Sequence, residues 1–242
     1  ALFYYQSVCY KNELHYNRAL ASIQKALALS AGPNETYSSE EKSIKTSHVM
    51  WMRISAVTSE MHEVGLESDL LNSRARLLMS MNMVVEAKHD LKRSLGLDSL
   101  NTESHFLKGV SYLLEHEYQE AYEEFSLPVM QHVPQESEKS LYGTYAEAAK
   151  KLAGYHELKK ASGSEVIHYI NISRQLSLLG LHQQAMEVIG EGLEVNHNDP
   201  RLLQARLLTE LQAGLNEKAR ETAAYIESLG ISVDPSLKSM LR

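Results

Sequence analysis

A step of 34 residues runs through this chain. Ala19, Ala87, Ala121, Ala185 and Ala219 each stand four positions before another apolar residue, and they are separated by 68, 34, 64 and 34 residues. Two intervals equal the step and the first is twice it. Companion positions keep it as well: Ala75 and Gly109, Leu78 and Tyr112, Val84 and Tyr118, and Leu91 and Phe125 all lie 34 apart. Ser7, Tyr10, Tyr16, Ala19 and Ile23 fill the matching slots early in the chain, and Ser173, Leu176, His182, Ala185 and Ile189 fill them late. A fixed period of this length marks a solenoid, in which each unit buries its apolar face on its neighbours.

The spacing, with Gly109-Tyr112 as G-x2-Y and Ala121-Phe125 as A-x3-F, resembles the tetratricopeptide repeat family, whose unit is a 34-residue helix-turn-helix. The family's first-helix Trp is replaced by Phe3, Leu71, His105, Tyr169 and Leu203, and Arg74 and Lys108 stand where Leu is usual. The resemblance implies an all-α fold, a right-handed superhelical α-solenoid of helix-turn-helix repeats, forming a single array over residues 1–242. Clear units are expected at about 1–33, 68–101, 102–135, 166–199 and 200–233, with degenerate helical segments at 35–67 and 136–163, for a count of seven hairpins. Asn34, Asn101 and the Asn198-Asp199-Pro200 run fall at unit junctions, where turn formers belong. Asp234-Pro235 reads as the start of a terminal capping helix. The ASGS run at 161–164 is an alternative domain boundary.

Only 12 Gly and 5 Pro interrupt the 242 residues, which suits long helices joined by short turns. The formal charge of -7, with cations scattered singly, gives no electrostatic footprint for nucleic acid. No run approaches the roughly 20 apolar residues of a membrane helix, so no membrane insertion is expected within this chain. Cys9 is the only cysteine, which excludes an internal disulfide, and it reads as a small core side chain. A soluble protein of the cytoplasm or periplasm fits equally. The start at Ala1 without Met suggests a processed or excised piece.

Motifs that carry catalysis are missing. Eleven His include no H-E-x-x-H and no i, i+4 pair, so no metal site is expected. No nucleophile elbow or Walker loop occurs, and the GEG at 190–192 reads as close helix packing. Neither an enzyme nor a cofactor is expected.

What the resemblance implies instead is binding of another protein, as a peptide or amphipathic helix, in a concave groove lined by the first helix of each hairpin. Transferred slot by slot, that places Tyr4, Val8, Lys11 and Asn12 on the groove from the first unit, and Asn72, Arg76 and Met79 from the next clear one. Phe106, Val110 and Leu113 follow, then Ile170, Asn171, Arg174 and Ser177, then Gln204, Leu208 and Leu211. A register shift of one residue would instead turn Phe106 and Val110 inward. The Lys and Asn clamp with which chaperone-binding members hold a terminal carboxylate is not reproduced, since Tyr4 and Val8 occupy the first of its slots. The reading is an adaptor for complex assembly; the alternative is a sensor or substrate-recruiting module of a larger enzyme or regulator.

Overall fold

In the computed structural model, residues 2–30, 33–64, 67–162 and 165–241 are described. They hold fourteen helices and no strand. Two compact units divide the chain at residue 104. Gly163 and Ser164, half of the ASGS run, lie outside the described residues.

The first unit contains α1 (Leu2–Asn12), α2 (Tyr16–Ala28), α3 (Glu35–Val64), α4 (Ser68–Ser80) and α5 (Val84–Leu97). The second is built from α6 (Thr102–Leu114), whose first turn belongs to the first unit, and α7 (Tyr118–Phe125), then the short α8 (Pro128–Gln131) and the long α9 (Glu136–Ser162). It continues with α10 (Val166–Leu178), α11 (His182–Val195), α12 (Pro200–Gln212), α13 (Asn216–Ser228) and α14 (Pro235–Met240). Both units are all-α stacks of tetratricopeptide-like hairpins: α1/α2, α4/α5, α6/α7, α10/α11 and α12/α13.

The period is visible in the backbone. Every hairpin turns through one residue in the left-handed region, at Leu14, Asn82, His116, Gly180 and Gly214, with φ of 61, 61, 61, 75 and 71°. These positions repeat the 68, 34, 64 and 34 spacing of the alanines. In each turn the next N–H reaches back five residues to a first-helix carbonyl: His15 to Tyr10, Met83 to Leu78, Glu117 to Tyr112, Leu181 to Leu176 and Leu215 to Glu210. This is the Schellman closure of a helix end. Only glycine adopts such a φ without a Cβ penalty. Open space surrounds the Cβ position of Gly214, so Gly214→Ala is expected to cost about 1 kcal/mol through backbone strain alone. The same change at Gly154, helical and equally unobstructed, should stabilise by up to about 1 kcal/mol. Thermal melts of the two variants should therefore move in opposite directions.

The five repeat alanines sit at the crossings and are fully buried, each at 0% exposure. In the first unit Ala19 packs with Tyr16, Ile23, Ala26 and Ile44 of α3. In the second, Leu113, Tyr118, Ala121 and Phe125 join Leu152 of α9 and Ile172 and Leu176 of α10 in one core. Leu203, Leu207, Ala219 and Ile226 form a further core closed by Leu237 of α14. Asp199 and Asp234 cap α12 and α14, their carboxylates accepting from backbone N–H groups two or three residues on.

Two expectations are corrected. The expected seven hairpins are five among the described residues, because the segments 35–67 and 136–163 each supply one continuous helix, α3 of 30 residues and α9 of 27. One period after Ser7 and Ala19 stand Glu41 and Arg53; neither side chain can be buried where two helices cross closely. One period before Ser173 and Ala185 stand Lys139 and Lys151, with the same result. Cys9, expected in the core, is exposed: the inward slots of α1 are taken by Ser7, Tyr4 and Tyr10.

Candidate functional site

The two long helices decide which first-helix surfaces stay open. In the first unit α3 packs on α2 and reaches α1 through side chains: the Tyr4 ring stacks on Tyr37 with centroids 5.3 Å apart, and Lys11 Nζ sits 2.8 Å from Glu40 Oε1. Val8 is half-buried and Asn12 exposed. Lys11 and Asn12 line a hollow of about 520 Å³ at the turn edge, with Met50, Met81 and Met83.

On α4, Asn72 is fully buried; its amide donates to Asn101 Oδ1 at 3.1 Å and its carbonyl accepts from the Ser104 hydroxyl at 2.8 Å. That network, completed by Ser94 against Ser104 at 2.7 Å, ties α4 and α5 to residues 101 and 104 within the first unit rather than presenting a surface. Arg76 is exposed and pairs with Glu103 at 2.6 Å. Met79 is half-buried.

On α6 the register turns inward. The Phe106 ring lies 4.8 and 5.0 Å from Tyr142 and Tyr145 of α9 and 5.8 Å from Phe125. Val110 packs against the same core. Leu113 has no exposed surface.

Past α9 the first helices are uncovered. Ile170, Arg174 and Ser177 of α10 and Gln204 and Leu208 of α12 come together around a hollow of about 500 Å³, joined by Ile167, Leu178, Arg201, Ala205, Thr209 and Gln212. Asp234, which caps α14, and Ser236 and Leu237 of that helix complete the lining. Of the residues expected there, Asn171 and Leu211 are half-buried and do not line it. Ile167 and Leu178 are exposed to 45% and 68%, so the rim is apolar.

The polar groups of the hollow are largely spent. Gln204 donates to Ser232 O at 2.8 Å and accepts from Asp234 N at 3.2 Å, which ties α14 to α12. Ser173 donates to Ile170 O, Thr209 donates to Ala205 O, and Ser177 lies 3.3 Å from Thr209 Oγ1. Arg201 pairs with Asp199 at 3.1 Å. Burial works against the Asp199 carboxylate, but the Arg201 side chain and two backbone N–H groups outweigh it and hold its pKa below the usual range. The Ser236 side chain and N–H hold Asp234 low in the same way. Arg174 is exposed and has no ion-pair partner among the described residues.

Sequence transfer did not anticipate Arg201, Ile167 or the three α14 residues. Ile167 and Leu178 were legible as the ends of the stripe Ile167, Ile170, Arg174 and Leu178, which recurs at helical spacing. Nothing marked α14 as a groove wall.

Among the described residues, no three His, Cys, Asp or Glu side chains are grouped to hold a metal. No helix there is long and apolar enough to cross a membrane.

No protein-family model matches the sequence and no curated protein is detectably similar to it. Solved structures are similar in fold. A tetratricopeptide repeat protein from Parabacteroides merdae ATCC 43184 is 18% identical, over 99% of this chain and 96% of that one, with a TM-score of 0.41. The TPR domain of P58(IPK) is 15% identical, over 94% of this chain and 73% of that one, with a TM-score of 0.36. YrrB, described as a TPR protein with an unusual peptide-binding site, is 18% identical, over 76% of this chain and 96% of that one, with a TM-score of 0.35.

Proposed function

We propose that this chain is a non-catalytic scaffold that holds a segment of another protein, a peptide or a helix, in the open groove formed by the first helices α10 and α12. The observation that carries the reading is the hollow of about 500 Å³ with exposed Ile167 and Leu178 on its rim. Large apolar side chains held at the edge of a concavity favour association, because covering them removes apolar surface from water. The groove positions of α1 and α6 are covered by α3 and α9, so binding concentrates at α10, α12 and α14.

Photo-crosslinking in cells of the source organism tests this. A crosslinking residue at Leu178, on the groove rim, is expected to trap a specific protein, and one at Arg220, exposed on α13, to trap none. Trapping from Arg220 alone would move the interface to the second helices. The charge-inserting variants Ile167→Asp and Leu178→Asp, both at exposed positions, should lower recovery of the partner while leaving the circular dichroism unchanged.

A further inference from the structure

We infer that the hollow between α10, α12 and α14 takes an amphipathic α-helix of the partner protein rather than an extended strand, and that an acidic side chain of that helix pairs with Arg174. The inference rests on the groove reading above and adds the partner's conformation and charge.

Backbone accounting favours the helix. An extended segment brings one N–H and one C=O per residue into the groove, and each needs a partner there once water is excluded. Scaffolds that read extended peptides meet them with a sheet edge or free amides. Here Gln204 is committed at both ends of its amide to residues before α14, and Ser173, Ser177 and Thr209 are committed to α10 and α12 themselves. A helix satisfies its own backbone and presents only side chains.

The dimensions agree. Ile167, Ile170, Arg174 and Leu178 stand at i, i+3, i+7 and i+11 on α10. At about 1.5 Å per residue that stripe runs roughly 16 Å, three turns of an apposed helix. A partner helix with apolar residues at the same spacing lays one stripe between α10 and α12.

Charge complementarity supplies the rest. The chain carries -7 overall, yet two guanidinium groups line this hollow. Arg201 is held by Asp199, and the Asp234 carboxylate is held by Ser236. Arg174 alone among these charges has neither an ion pair nor a side-chain hydrogen bond within the described residues, and it lies between apolar neighbours on its own stripe. A carboxylate reaching it gains a charge-assisted hydrogen bond, and the fork of the guanidinium admits both oxygens.

A phage-displayed library of random peptides about 16 residues long, selected on the intact 242-residue chain and counter-selected on Leu178→Asp, tests this. Enriched sequences should share apolar residues at i, i+3 or i+4, and i+7, with one Asp or Glu on the same face and no Pro inside. By fluorescence anisotropy, Arg174→Gln should weaken such a peptide by about tenfold. Replacing the peptide's acid by its amide should do the same, and the two changes together should do little more. Arg174→Glu should prefer the peptide whose acid is replaced by Lys. Enriched peptides rich in Pro, or without an acid, would overturn the inference while leaving the groove reading intact. So would binding that Leu178→Asp abolishes and Arg174→Gln does not change. Peptides indifferent to Ile167→Asp, Leu178→Asp and Arg174→Gln would place binding elsewhere and defeat the groove reading itself. Enrichment of nothing would overturn the inference, leaving photo-crosslinking to judge the groove.

Discussion

Arg74→Met is expected to destabilise the first unit by about 3–5 kcal/mol, the cost of leaving a buried charge without its partner. Asp90 is 2% exposed, and Arg74 holds both of its oxygens, at 2.6 and 2.7 Å, while a third donor of the guanidinium reaches Thr58 at 3.2 Å. Hydrogen bonds donated to the Asp90 carboxylate raise the guanidinium pKa further above its already high ordinary value, against the opposing effect of burial. The pair is nonetheless dispensable as a pair. One period later the same slots hold Lys108 and Glu124, 2.9 Å apart, with His105 sharing the carboxylate. In α10 and α11 they hold Ile172 and Val188, both buried. The double variant Arg74→Met, Asp90→Leu should therefore return to within about 1 kcal/mol of the parent or exceed it. Urea denaturation followed by Trp51 fluorescence decides this, because Trp51 is the only tryptophan and packs in the first unit's core. A single variant as stable as the parent would show that Asp90 finds water or a proton instead. A double variant no better than the single would show that this crossing requires the charges.

Repetition is what made the fold legible. The alanine spacing identified five crossings because only a small side chain fits there, and all five alanines are fully buried. Where the crossing slots carry Glu41, Arg53, Lys139 and Lys151, the same rule read in reverse points to unbroken helices, since no close crossing can form. The groove was less legible. A first-helix slot is concave only if nothing lies on it, and whether α3 or α9 does so depends on tertiary packing that no period records. Tyr4 and Phe106 therefore meet aromatic rings of α3 and α9, whereas Ile170 and Gln204, in the equivalent slots, line an open hollow. Cys9 shows the converse: residue type favoured burial, and its position on the outer side of α1 prevailed. The Gly pair at 190 and 192 divides in the same way. Only Gly192 is a packing glycine, its Cβ position lying 2.9 Å from Tyr169 Cγ, while that of Gly190 faces open space.

Gly109→Ala is expected to destabilise the second unit by about 1–3 kcal/mol, although alanine is the better helix former. A Cβ at this position would lie 2.6 Å from Cζ and 2.8 Å from Cδ1 of Phe125. That ring is 3% exposed and wedged against Phe106 and Tyr145, so it cannot swing aside. Close-packed interiors transmit such an intrusion as strain rather than absorbing it. The preceding unit shows how the two positions trade volume, for one period earlier they hold Ala75 and Leu91, both at 0% exposure. Gly with Phe and Ala with Leu are two solutions to one crossing. Adding Phe125→Leu to Gly109→Ala should accordingly recover about 1 kcal/mol or more, even though Phe125→Leu alone removes buried rings' contacts and destabilises. Circular dichroism melts of the two single variants and the double variant measure the coupling. Strict additivity would mean that Phe125 does not set the approach of α6 to α7. A rescue would show that the 34-residue period conserves the summed volume at each crossing, which is why the sequence keeps its spacing while changing its residues.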